Sequence, residues 1–268
     1  MSVNSYLSTL SSSLVLSSLE NANIRTSIAN LSKNLNYYFN QGELHTHFQF
    51  GSSTRGTILP RRVDSDSDVD YMVVFKNPRG FTPETLLKRL KDFMHTYYSR
   101  SEIYKDSPTM VLELNHIKFE LVPAIQDDWG NISIPSKENF FSRWIPTDPL
   151  GFNEKLTQVN VYNNSKIKPL VRLMKYWNTN KLDGHFYSFE LENWIVQKYT
   201  FNRQVFLKDY IYDTIEGLSP NYDDSQRYKE RLVRAKNIIR EVKWFEQNGL
   251  EIQAREKIKN IFPEIYVR

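Results

Sequence analysis

Apolar residues near the start of the chain recur at helical spacing. Ile24, Ile28, Leu31 and Leu35 form one stripe of an amphipathic helix, and the helical reading extends from about residue 4 to about 40. A short run from Thr46 to Phe50 then stops at Gly51, and a polar loop continues through Asp66. Val69 to Phe75 is a strongly apolar strand closed by Asn77-Pro78-Arg79-Gly80. Leu87, Leu90 and Phe93 mark a helix over Glu84 to Tyr98, with Thr82 as N-cap ahead of Pro83. Thr109 to Leu114 and His116 to Pro123 follow as two strands joined near Asn115. Beyond Pro149 the alternation disappears, and Lys166–Asn178, Phe189–Tyr199, Ser225–Trp244 and Leu250–Ile261 all favour helix. The expected class is α+β, a mixed-sheet core with N-terminal helix over residues 1–160 followed by a helical domain over 161–268. A ligand cleft is expected between the two.

The chemistry concentrates in two adjoining stretches. Gly51-Ser52-Ser53-Thr54-Arg55-Gly56-Thr57 leads into a run holding Asp64, Asp66, Asp68 and Asp70, which enters the apolar strand. Side chains on a strand alternate faces, so Asp68 and Asp70 point to one side. Carboxylates crowded at the rim of a core raise each other's pKa unless a cation neutralises them. Aspartate oxygens on a rigid strand suit Mg²⁺ or Mn²⁺, and two ions about 4 Å apart could clamp both oxygens of a phosphoryl transfer. Asp64 and Asp66, flanked by nothing apolar, read as a solvated turn. Glu120 alternates with Phe119 and Leu121 on a later strand and could supply a third carboxylate if that strand lies beside the first. The Gly51-Ser52 turn can offer backbone N–H groups and a hydroxyl to phosphate oxygens. It is not a P-loop: Gly51 and Gly56 have the right spacing, but Thr57 stands where that motif requires lysine. Phosphate charge must then be met elsewhere, and Lys175, one turn from Arg172 beside the apolar stripe of Leu170, Leu173, Met174 and Trp177, is the basic residue singled out.

Composition adds exclusions. Lys plus Arg number 35 against 31 for Asp plus Glu, a net +4 that suits an anionic ligand without announcing a dedicated nucleic-acid binder. The 268 residues include no cysteine, which excludes disulfides, thiolate zinc sites and cysteine catalysis. No apolar run approaches the roughly 20 residues that cross a bilayer, and the N-terminus lacks a basic segment ahead of its apolar residues. A cytoplasmic protein without membrane contact is expected. His45 and His47 alternate ahead of Gly51 with no further metal-ligating histidine or cysteine beside them in sequence. The Arg61-Arg62 pair could meet phosphate or a second nucleotide, or belong to a solvated loop, and the charged face of Ser225–Trp244 reads as solvated surface and as a surface for a partner.

Taken in order, GSSTRGT, DVDYMVVF, FELVPA and KPLVRLMKYWN followed by FYSFELENW, over residues 51 to 194, resemble the nucleotidyltransferase superfamily with its Pol-beta-like core. More narrowly the chain is similar to the branch containing oligoadenylate synthetase, cyclic GMP-AMP synthase and the bacterial CD-NTases, which make cyclic oligonucleotide signals in anti-phage defence. The resemblance implies that Ser52 of the Gly51-Ser52 turn contacts a triphosphate and that Asp68, Asp70 and Glu120 hold two Mg²⁺ or Mn²⁺ ions. It implies that Lys175 and Ser188 grip phosphates and that Tyr187 or Phe189 stacks on a base. Substrates would be nucleoside triphosphates (ATP, GTP or pyrimidine), with regulatory or effector proteins as partners. The family usually has aspartate where this chain has Glu120, which reaches one methylene further. The absence of cysteine removes the zinc ribbon of the animal DNA sensor and argues against direct DNA sensing. Two other readings stand beside cyclisation: a linear or RNA nucleotidyltransferase, and a catalytically silent nucleotide-binding module.

Overall fold

A computed structural model describes residues 2–40, 42–77, 79–106, 108–136 and 144–265. The chain divides into two compact units. One comprises Ser17–Arg61 and Ser65–Glu154; the other comprises Met1–Leu16, Arg62–Asp64 and Lys155–Arg268. The helical stretch expected over about residues 4–40 is two helices, α1 (Val3–Ser13) and α2 (Ser18–Tyr38). The break falls at Ser17, whose hydroxyl accepts from the Glu20 N–H while the Glu20 carboxylate accepts from the Ser17 N–H. That reciprocal capping box starts a new helix, and α1 falls in the other unit.

The first unit is built on one mixed sheet. Strands β1 (Leu44–Gln49), β2 (Asp68–Phe75), β3 (Glu102–Asp106), β4 (Thr109–Glu113) and β5 (Lys118–Gln126) are ordered β1-β2-β5-β4-β3, and β6 (Ile132–Pro135) and β7 (Trp144–Thr147) extend from β5. β2 and β5 run parallel at its centre, and the other pairs are antiparallel. Helix α3 (Gly51–Arg55) is a single short turn between β1 and β2. Helix α4 (Pro83–Tyr97) starts at Thr82, whose hydroxyl accepts from the Thr85 N–H, with Pro83 in its first turn. It buries Leu86, Leu87, Leu90, Phe93 and Met94. Each such side chain removed from water stabilises the fold by about 1.5–3 kcal/mol. Val69, Tyr71 and Val73 alternate on one face of β2, all buried. On the other face, Met72 and Val74 pack with Ala124, Phe48, Phe50, Ile132 and Ile134, so the carboxylates of that face stand at its polar end.

The second unit is helical: α1, most of α5 (Gly151–Tyr162), α6 (Ile167–Lys181), α7 (Ser188–Lys198), α8 (Leu207–Gly217), α9 (Gln226–Gln247) and α10 (Glu251–Ile258). Its core includes Leu7, Leu170, Trp177, Ile195, Tyr210, Ile239 and Phe262. The Tyr6 hydroxyl donates to the Phe262 carbonyl at 2.6 Å, and the Tyr176 hydroxyl to that of Pro263 at 3.0 Å, fastening both ends of the chain to this unit. Among the described residues, no helix is long and apolar enough to cross a membrane.

Candidate active site

The parallel register of β2 and β5 settles which carboxylates are neighbours. Asp70 lies directly beside Glu120, and Asp68 directly beside Lys118. Both strands repeat the same burial alternation, half-buried at Asp68, Asp70, Lys118 and Glu120 and fully buried at Val69, Tyr71, Phe119 and Leu121. One face of the strand pair thus carries three carboxylates and one ammonium. Lys118 Nζ lies 3.8 Å from Asp68 Oδ2 and 3.6 Å from Glu120 Oε1.

Burial, then the Asp70 and Glu120 charges, push the Asp68 carboxyl up to about 8, with Lys118 opposing and a hydrogen bond to Glu120 adding to the rise. A bound cation favours the ionised form of such a group. Burial lowers the Lys118 ammonium, but Asp68 and Glu120 outweigh it and hold the group above its ordinary range. The donor set is the one a hard divalent cation takes, carboxylate oxygens from adjacent rigid strands. Lys118 stands among them, its ammonium within 4 Å of both Asp68 and Glu120. Among the described residues, no group of three or more His, Cys, Asp and Glu side chains is gathered closely enough to hold a metal ion. The three carboxylates share a face without closing around a common point.

The glycine-serine turn presses on this cluster. Gly51 has φ +73°, a left-handed conformation, and a Cβ built on it would sit 1.7 Å from Asp70 Oδ2. The Phe50 N–H donates to the Asp70 carbonyl at 3.0 Å, which locks the turn to β2. The Gly51-Ser52 turn begins α3, which ends at Gly56 in the left-handed region. Arg55 is buried, its guanidinium 5.1 Å over the Phe152 ring and donating to Asn153 Oδ1 at 3.4 Å; Asn153 in turn donates to the Thr54 hydroxyl at 3.1 Å. Arg61 pairs with Glu113 at 2.6 Å, so it is tied into the sheet unit.

The other singled-out residues belong to the helical unit. Lys175, the basic residue singled out on α6, is 5% exposed, and its Nζ pairs with Glu192 Oε1 at 3.3 Å. Glu192 is wholly buried on α7, one turn beyond Ser188. The chain entering α7 is held tightly. The Asn178 side chain donates to the Phe186 carbonyl at 2.9 Å and accepts from its N–H at 3.0 Å. His185 stacks on Tyr228 with ring centres 3.6 Å apart. Tyr187 and Phe189 are nevertheless exposed, 74% and 54%. The structure thus gathers Gly51, Ser52, Asp68, Asp70 and Glu120 in the sheet unit, and Lys175, Tyr187, Ser188 and Phe189 in the helical unit. Sequence reasoning passed over Lys118, although the period-2 argument that selects Glu120 also selects the residue two before it. It passed over Glu192 too, an acidic residue on the apolar side of a helix.

The chain is similar over 152 residues, at 27% identity, to the cyclic AMP-AMP-AMP synthase of Acinetobacter sp. (strain ATCC 27244 / 9458). That stretch is 54% of this chain and 42% of the relative, so the match spans less than half of the curated protein. Among solved structures, it resembles CdnC of E. coli MS115-1 with ATP at a TM-score of 0.71 and 13% identity, covering 100% of this chain and 99% of that one. It also resembles the CD-NTase CdnG of Bradyrhizobium diazoefficiens in complex with GTP, at a TM-score of 0.69 and 12% identity, over 98% and 99% of the two chains. These likenesses establish the fold as that of the CD-NTases, a Pol-beta-like core with a helical C-terminal region. Residues 1–160, more than half the chain, match the Second Messenger Oligonucleotide or Dinucleotide Synthetase domain, and the chain belongs to that family.

Proposed function

We propose that this protein is a metal-dependent nucleotidyltransferase that joins nucleoside triphosphates into a cyclic di- or trinucleotide and releases pyrophosphate. The observation that carries the reading is Asp70 and Glu120 side by side on parallel strands, with Gly51 packed so closely on Asp70 that no side chain fits between them. The polar end of two central strands needs neither feature for stability. A site that binds triphosphate oxygens next to ion-bearing carboxylates needs both.

Asp68, Asp70 and Glu120 would hold two divalent ions, Mg²⁺ or Mn²⁺, whose chemistry is to neutralise the triphosphate and acidify the attacking hydroxyl. Ser52 and the backbone N–H groups of its turn orient the triphosphate. Asp70 accepts the proton from the attacking sugar hydroxyl. Lys175, positioned by Glu192, and Ser188 bind phosphate oxygens, and Tyr187 or Phe189 stacks on a base. A second round at the same site closes the ring. The product would act as a messenger in anti-phage defence, read by an effector protein. Assembly on a duplex DNA activator is not part of this reading.

The test is to incubate the protein with labelled ATP, GTP, CTP and UTP and Mg²⁺ or Mn²⁺, then treat with phosphatase. Resistant label that vanishes in Asp68→Asn and Asp70→Asn is expected, and omitting each triphosphate in turn names the bases. Synthesis undiminished in either variant refutes the assignment. A linear ladder, or a requirement for added RNA, selects a linear polymerase instead. Nucleotide binding without pyrophosphate release selects a silent binding module.

A further inference from the structure

Lys118 is the residue of this cluster that a carboxylate metal site does not call for. It is not a solvated surface lysine, since its side chain is only 13% exposed. Its surroundings direct it inward. Its neighbour across the antiparallel β4–β5 pair is Glu113, whose carboxylate already pairs with Arg61 at 2.6 Å. Its neighbour on the parallel side is Asp68, and two residues further along its own strand and face stands Glu120. The ammonium therefore settles between those two, at 3.8 Å and 3.6 Å.

We propose that Lys118 is the resident cation of the carboxylate cluster and that a divalent ion enters only by displacing it, so that Lys118 sets the metal affinity of the site. This rests on the reading of Asp68, Asp70 and Glu120 as metal ligands. An ammonium and a dication sharing the same two carboxylates would stand within about 4 Å of each other, where like charges repel by several kcal/mol at the effective dielectric of a protein surface. One must leave. The lysine can: its charge rides on a flexible four-carbon stem. While it remains, its attraction holds Asp68 and Glu120 toward itself, at 3.8 Å and 3.6 Å.

The experiment is Mn²⁺ titration of the full chain, reading free Mn²⁺ by electron paramagnetic resonance, for the wild type, Lys118→Met, Lys118→Arg and Asp70→Asn. Lys118→Met is expected to bind at least tenfold more tightly than wild type, a difference of about 1.4 kcal/mol. Lys118→Arg, which keeps the charge, should bind no more tightly than wild type, and Asp70→Asn should lose the site. Thermal melts supply the second readout. In EDTA, Lys118→Met should melt below wild type, its carboxylates having lost their counter-charge, and Mn²⁺ should raise its Tm by more. If Lys118→Met does not fold, Lys118→Gln takes its place. Equal Mn²⁺ affinity in the wild type and the neutral variant, with Asp70→Asn still abolishing binding, overturns the inference and leaves the metal reading intact. Absence of Mn²⁺ binding in every variant overturns both.

Discussion

Replacing Gly51 with alanine tests the site with a single methyl group. Two costs can be separated. At φ +73° an L-residue pays the left-handed backbone cost, about 1–2 kcal/mol. The new Cβ would also lie 1.7 Å from Asp70 Oδ2, and must be at least 3.0 Å away, so the carboxylate has to retreat by about 1.3 Å. Displacements of about 1 Å at a reacting group cost roughly a hundredfold in rate. Gly56 is the internal control: its φ is +71°, but a Cβ there meets nothing within 4 Å. Both variants should lose stability; at ~2–4 °C per kcal/mol the backbone cost alone corresponds to a drop of roughly 2–8 °C in Tm. Only Gly51→Ala should also lose about a hundredfold in formation of phosphatase-resistant product at saturating nucleotide and metal. Gly51→Ala working within threefold of Gly56→Ala would refute the argument that contact between this turn and Asp70 fixes the reacting geometry.

Three further outcomes follow from the same structure. Glu120→Gln keeps the size of the side chain but removes its charge, and should reduce synthesis about a hundredfold, or ~2.7 kcal/mol in the barrier, with a cooperative melt in EDTA as the check on folding. Glu192→Leu removes the counter-charge of buried Lys175 and should cost about 3–5 kcal/mol by denaturant titration, whereas Lys175→Met with Glu192→Leu should recover most of that stability without recovering activity; a wild-type midpoint for Glu192→Leu refutes the pairing. Burial holds the His47 imidazole below its ordinary range, and the neutral ring fits its partners, Nε2–H donating to Asn36 Oδ1 at 3.0 Å and Nδ1 accepting from the Tyr71 hydroxyl at 2.9 Å. The unfolded chain binds the proton at about pH 6.5 and the folded chain only lower, so the stability owed to His47 is present above that pH and lost as pH falls below it. His47→Gln should flatten the decline in Tm between pH 7 and pH 5, and an unchanged slope would exclude this residue as its source.

What the chain order alone determined was local. The alternation that places Asp68 with Asp70, and Glu120 opposite Phe119 and Leu121, follows from strand geometry and needs no distant partner. The stripe of α6 and the capped start of α4 are equally local. The elements that escaped notice are those whose signal is weak at that range. β3 is an edge strand of largely exposed residues; β6 and β7 are four residues long and contain prolines; α5 buries only Leu156, Val159 and Asn160. Helix α8 did carry a legible stripe, in Leu207, Tyr210, Ile211, Thr214 and Ile215. Only the tertiary structure decided that β2 and β5 are adjacent, parallel and in a register that sets Asp70 against Glu120 and Asp68 against Lys118. Nearly fifty residues separate those partners, and a shift of one residue would have turned Glu120 to the opposite face. The same holds for Gly51 against Asp70 and Lys175 against Glu192. Charge, size and backbone freedom are written at each position, but which charge meets which is fixed by long-range packing.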